Sequence, residues 1–227
     1  MNQTESPPKA VSRIQQNILA VSERRLLNWL CARMPAWVTP DRLTGLGVVG
    51  SFVIFAGYAL STVDYNWLWF AILGYVMQWF GDSMDGSLAR FRKIERPRFG
   101  FFIDHSCDGL TLLLILAGIG LSPYVQLEVA LITLSGYLLL SIHAYLATHV
   151  LGEMRLSYLS LGPTELRFAL IFITFMMMVL GHDRDWFYPV SGFDLVFGAA
   201  GAIMILIFVV QTLKTGRQLS IEDSRKR

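Results

Sequence analysis

Residues 81–109 read GDSMDGSLARFRKIERPRFGFFIDHSCDG and contain four aspartates. Asp82 and Asp85 are three apart, Asp104 and Asp108 four apart, so on helices each pair shares one face. A short basic stretch joins the two segments. It makes them antiparallel neighbours and lets the two acidic faces converge on one pocket. The surrounding sequence is apolar, and acidic side chains in such segments are rare and costly unless they serve a function. A hard divalent cation removes that cost. Carboxylate oxygens suit magnesium, manganese or calcium rather than zinc. Two ions about 3.5–4 Å apart, bridged by shared carboxylates, would fit four aspartates and act on a phosphoryl group. Pairing with nearby arginines is the plainer alternative, but no structural need calls for two such acidic pairs.

The residues around the aspartates fit the same chemistry. Gly86 and Ala89 would let a flat ligand reach the helix backbone. Arg90, one turn after Gly86, can hold a phosphate through two parallel hydrogen bonds. Gly100 opens the second helix where side-chain bulk would block the pocket. Close helix packing is the alternative for both glycines. His105 follows Asp104 and so points about 100° away from it on a helix, where it could face the membrane side of the pocket. An imidazole suits general-base work near neutral pH. Glu165, opening a later span on the same side, would orient His105 or take the proton itself. The bland role for His105 is packing or a backbone hydrogen bond.

Six apolar segments must position these residues. They run roughly from Thr44 to Thr62, Trp67 to Trp79, Phe101 to Leu121, Val125 to Leu151, Glu165 to Leu180 and Asp194 to Leu213. A bilayer crossing needs about 20 mostly apolar residues. The second segment continues through polar residues to about Arg90. Turn signals at Ser122-Pro123, Gly162-Pro163 and Gly181 to Asp185 separate the later ones. Upstream, Val11 to Met34 mixes apolar residues with Arg and Glu, and Trp29 and Trp37 suit headgroup depth. That pattern predicts an amphipathic helix lying in the membrane interface. The expected fold is an all-α integral membrane protein, with six transmembrane helices preceded by an N-terminal amphipathic interfacial helix. Residues 1–42 form the cytoplasmic arm and interfacial helix, 43–214 the six-helix catalytic domain, and 215–227 a basic cytoplasmic tail.

Composition agrees with a membrane domain. The chain has 227 residues, 54% of them hydrophobic and 16% charged, with a mean hydropathy of +0.49; soluble domains carry about 25% charged residues. A net charge of +2 gives no case for nucleic acid binding. Every Lys and Arg except Arg184 falls on one side of a six-span chain, and by the positive-inside rule that side is the cytoplasm. Both termini and the aspartates then face the cytoplasm, in a bacterial inner membrane or its equivalent. Met1 to Ala10 lacks the apolar run of a cleavable signal peptide. Cys31 and Cys107 have the spacing of neither a zinc site nor a disulfide framework. His143, His149 and Met176-Met177-Met178 read as packing, and Arg225-Lys226-Arg227 as a tail near anionic headgroups.

The pattern Asp82-x2-Asp85-Gly86-x2-Ala89-Arg90-x9-Gly100-x3-Asp104-x3-Asp108 resembles the signature of the CDP-alcohol phosphotransferases at every defining position. The resemblance implies a reaction in which an acceptor hydroxyl attacks the β-phosphorus of a CDP-alcohol and CMP leaves. It implies two ions, Mg2+ or Mn2+, on Asp82, Asp85, Asp104 and Asp108. It implies a CDP site formed by Asp82, Gly86, Ala89, Arg90 and Gly100, with Asp108 as general base, in a homodimer among membrane lipids. Asp104-His105-Ser106-Cys107-Asp108 and Gly162-Pro163-Thr164-Glu165 are similar to stretches of the choline/ethanolamine phosphotransferases, where the matching His and Glu are participants in acceptor activation. The lead Trp37-x2-Pro40-x3-Thr44 is similar to theirs too. The chain is shorter than the eukaryotic members and has fewer spans, so the head group and the acceptor, a lipid or another polar alcohol, stay open. Within the family the alternative is a phosphatidylinositol-phosphate- or phosphatidylglycerophosphate-type synthase using CDP-diacylglycerol. Outside it the alternative is a divalent cation transporter. A transporter would spread polar residues through the depth of the bundle, whereas the acidic residues here gather at one end.

Overall fold

The computed structural model describes residues 20–151, 163–181 and 190–225. Seven α-helices run through them: α1 (Ala20–Arg33), α2 (Pro40–Leu60), α3 (Leu68–Arg92), α4 (Pro97–Leu121), α5 (Leu127–Leu151), α6 (Pro163–Leu180) and α7 (Gly192–Arg225). There is no β-strand among the described residues. Helices α2 to α7 cover the six apolar segments. Four of them, α2, α4, α5 and α7, are long and apolar enough to cross a bilayer. Helix α3 carries Asp82, Asp85, Arg90 and Arg92 in its second half. Helix α6 has 18 residues, about 27 Å at 1.5 Å per residue. Val11 to Leu19 of the expected amphipathic helix, Arg155, Gly162, the loop His182 to Asp185 and Lys226-Arg227 lie outside the described residues.

Local sequence sets the helix ends. Thr39 caps α2, its hydroxyl accepting the Arg42 N–H at 3.3 Å, and Pro40 fills the first turn, where no N–H is needed. Helix α3 stops at Lys93, which takes the left-handed conformation (φ 57°) and returns its N–H to the Arg90 carbonyl. Ser191 and Asp194 form a reciprocal cap at the start of α7: Asp194 N–H donates to the Ser191 hydroxyl at 2.9 Å and Ser191 N–H to the Asp194 carboxylate at 2.8 Å. Asp194 also accepts the Gln126 N–H at 2.7 Å, which ties α7 to the loop before α5.

Glycines set the central packing. A Cβ at Gly57 of α2 would sit 2.4 Å from the Ala71 nitrogen of α3, and one at Gly81 of α3 would sit 2.4 Å from the Gly47 nitrogen of α2. Only bare backbone permits so close a seam. A second seam joins α5 and α7, where a Cβ at Gly136 would approach the Gly201 carbonyl to 2.7 Å. In the core, the Tyr58 hydroxyl meets Thr174 at 2.5 Å and Tyr75 at 3.2 Å, which links α2, α6 and α3 through polar groups that would otherwise be buried unpaired.

Two expectations change in detail. Helices α3 and α4 are joined by a short loop, yet each packs along α2 and they touch one another little. The reason is the glycine seam on one side of α2 and, on the other, Gly118 against Phe55 with a 2.8 Å Ser51–Thr111 hydroxyl bond. Helix α1 is docked against the bundle: Leu27 and Cys31 are buried with Leu43, Met84 and Leu88, while Val21, Leu26 and Trp29 stay exposed.

Candidate active site

Asp82 and Asp85 of α3 and Asp104 of α4 line one cavity of about 10 Å3. That is close to the volume needed to hold one water molecule. Thr44, Gly47 and Val48 of α2, with Gln78, Cys107 and Thr111, complete its wall. Asp108 stands one turn beyond Asp104. Ligand atoms of Asp104, His105 and Asp108 all lie within 4.8 Å of one another. Asp104 belongs to both groups, so the four aspartates form a continuous acidic face. The separation of α3 from α4 by their shared packing on α2 leaves space between the two pairs.

Each aspartate has its own support. The Thr44 hydroxyl donates to Asp85 at 2.6 Å, and the Gly86 N–H donates to the other Asp85 oxygen at 2.5 Å. Arg167, on α6, makes an ion pair with Asp82, and both side chains are largely buried, 12% and 22% exposed. Glu23 of α1 accepts hydrogen bonds from Trp79 Nε1 at 3.0 Å, Ser83 Oγ at 3.2 Å and Thr164 Oγ1 at 2.8 Å, fastening α1, α3 and α6 beside Asp82.

His105 sits between the rings of Phe101 and Tyr145, with centroids 4.3 and 5.2 Å away. Its Nδ1 is 3.3 Å from Asp104, yet neither ring nitrogen makes a hydrogen bond among the described residues. Glu165 lies half-buried in the first turn of α6 and is not bonded to His105. Arg90 is exposed and donates to Ser87 Oγ at 3.2 Å; Ala89 beside it is half-buried. A Cβ at Gly100 would meet nothing within 4 Å, and the nearest atoms to one at Gly86 would be those of the Arg90 guanidinium, from 3.2 Å. Close packing therefore explains Gly57 and Gly81 but not Gly100.

The donor set fits a divalent cation. The four carboxylates offer hard oxygens, the ligand type that cations such as Mg2+ and Mn2+ take. Asp85 is held by neutral donors, so its charge is uncompensated by them. Thr44, Glu23 and Arg167 had no assigned part in the sequence reading of the site. A signal did exist for Arg167, since a cation inside a short apolar helix implies an anionic partner.

Residues 37–213 match the profile of the CDP-alcohol phosphatidyltransferase family. Cholinephosphotransferase 1 of Danio rerio is 31% identical over 97 residues, covering 40% of this chain and 25% of that protein. Cholinephosphotransferase 1 of Xenopus laevis is 25% identical over 183 residues, covering 74% and 43%. The matches thus take in less than half the length of these relatives. With four apolar helices of bilayer length, the chain is an integral membrane protein. The profile match takes in all four aspartates, Arg90, Arg167 and every helix lining the cavity, and the chain belongs to the CDP-alcohol phosphatidyltransferase family.

Proposed function

We propose that this protein transfers a phosphoalcohol group from a CDP-alcohol to an acceptor hydroxyl and releases CMP, in the synthesis of a phospholipid or related polar lipid. The observation that carries this reading is the continuous acidic face of Asp82, Asp85, Asp104 and Asp108 beside a cavity, in a chain of that family. The names of the matched relatives favour a CDP-choline or CDP-ethanolamine donor and a lipid alcohol as acceptor.

The four aspartates would hold two Mg2+ or Mn2+ ions, which when bound offset the diphosphate charge and favour in-line displacement. Arg90 grips a phosphate, and Gly86, Ala89 and Gly100 keep the helix surfaces low enough for the CDP part. The acceptor oxygen bonds to the β-phosphorus as the bond to the bridging oxygen breaks, and the electron pair leaves with CMP. Asp108 or His105 takes the hydroxyl proton. Both His105 nitrogens lack a hydrogen-bond partner among the described residues, so one can accept it. Glu165 assists from the start of α6. Positioning supplies much of the remaining rate in phosphoryl transfer.

In the same proposal α3 and α6 also cross the bilayer, giving six spans within a 43–214 catalytic domain. The 1–42 arm and the 215–227 tail lie in the cytoplasm with the site. Helix α1 rests at the interface through Val21, Leu26 and Trp29, with Arg33 stacked 4.1 Å above the Trp29 ring. Two copies form a homodimer. The test incubates purified protein with Mg2+ and, in turn, CDP-choline or CDP-ethanolamine with a diacylglycerol acceptor, and CDP-diacylglycerol with a polar-alcohol acceptor, glycerol 3-phosphate or inositol phosphate. CMP release from either of the first two supports the proposal. Release from CDP-diacylglycerol alone moves the protein to the other branch of the family, and release from none refutes it.

A further inference from the structure

We infer that Arg167 is an exchangeable counter-ion of this site, pairing with Asp82 until a divalent cation and a diphosphate arrive and then turning to the diphosphate. The inference rests on Asp82 being a metal ligand. Arg167 stands one turn after Thr164 on α6 and reaches across to Asp82 on α3. Its guanidinium is always charged. Largely buried in an apolar bundle, that charge needs an anion beside it in every state of the site.

Asp82 cannot serve a divalent cation and Arg167 equally. Once the carboxylate binds the cation, its charge is shared and the guanidinium is repelled by the new positive charge. A diphosphate resolves this, because its oxygens match the planar fork of arginine. The backbone need not move for the exchange. Glu23 binds Trp79 and Ser83 of α3 and Thr164 of α6 independently of Arg167, and so holds the two helices in place while the side chain turns. The consequence is coupling: metal alone must displace Arg167 without offering it a new anion, whereas metal and diphosphate together do offer one.

Mn2+ binding, followed by electron paramagnetic resonance of the free ion on purified full-length protein, tests this with CDP as the diphosphate probe. Without CDP, Arg167→Gln should bind Mn2+ about tenfold tighter than the native protein, within the usual range of coupling between two ligands. CDP should tighten Mn2+ binding in the native protein and do so much less in the variant. Arg167→Lys keeps the charge but loses the fork, so its Mn2+ affinity without CDP should stay near native while the CDP effect shrinks. If Arg167→Gln does not fold, Arg167→Lys decides alone. A fixed structural role for Arg167 predicts unchanged or weaker Mn2+ binding in Arg167→Gln and an undiminished CDP effect in Arg167→Lys, and either result overturns the inference. Asp82→Asn separates the two levels. Native Mn2+ affinity in that variant, or no Mn2+ binding by the native protein, overturns the metal site itself and the inference with it.

Discussion

Thr44 of α2 donates its hydroxyl to Asp85 of α3 at 2.6 Å, so a helix that carries none of the four aspartates fixes the orientation of one of them. Groups that orient a metal ligand typically change metal affinity or activity by about 10–100-fold when removed. Thr44→Val should therefore weaken Mn2+ binding and slow CMP release within that range, and Thr44→Ser should restore both. Native behaviour of Thr44→Val would remove Thr44 from the site.

The glycines divide into two classes that stability measurements can separate. Gly81→Ala forces a Cβ to within 2.4 Å of the Gly47 nitrogen. Overpacking of this kind costs about 1–3 kcal/mol, so the thermal midpoint in detergent should fall. Gly100→Ala places its Cβ in open space within 4 Å and should leave the midpoint nearly unchanged while raising KM for the CDP-alcohol. Equal losses of stability in the two variants would contradict the division.

His105 and Glu165 are proposed for the acceptor proton. His105→Ala should lower turnover about 10²–10⁴-fold, the usual range for losing a general base, with Mn2+ and CDP binding little changed. Glu165→Gln should act in the same direction. Near-native turnover of His105→Ala would leave the proton to Asp108.

The proposed cytoplasmic orientation rests on the one-sided placement of Lys and Arg. A cysteine introduced at Val63, exposed between α2 and α3, should react with an impermeant thiol reagent from outside the cytoplasm, and one at the exposed Lys93 only from within. The reverse labelling would put the site on the side that lacks CDP-alcohols.

Much of this was legible in the sequence, for identifiable reasons. The aspartate pairs share helix faces because spacings of three and four match the helical repeat, and the break at Ser122-Pro123 ends α4 through local backbone chemistry. The contacts between distant segments were not legible. Thr44–Asp85, Arg167–Asp82 and the Glu23 cluster depend on how α1, α2, α3 and α6 cross, and the crossings are set by glycine seams whose partners no local pattern names. The short loop after Arg92 suggested that α3 and α4 pack together. Gly81 and Gly118 instead seat both helices on α2, which leaves the space between the acidic pairs. The pattern before Met34 pointed to a helix, described over Ala20–Arg33, but not to the docking of Leu27 and Cys31 against Met84 and Leu88.

In the proposed reaction the four aspartates hold divalent cations that are required for CMP release. The decisive measurement follows CMP release from a CDP-alcohol in Mg2+, after metal removal by EDTA, and in Asp82→Asn, Asp85→Asn, Asp104→Asn and Asp108→Asn. EDTA should abolish release, added Mg2+ or Mn2+ should restore it, and each substitution should remove most of it. Undiminished release from protein confirmed to be metal-free would contradict that requirement.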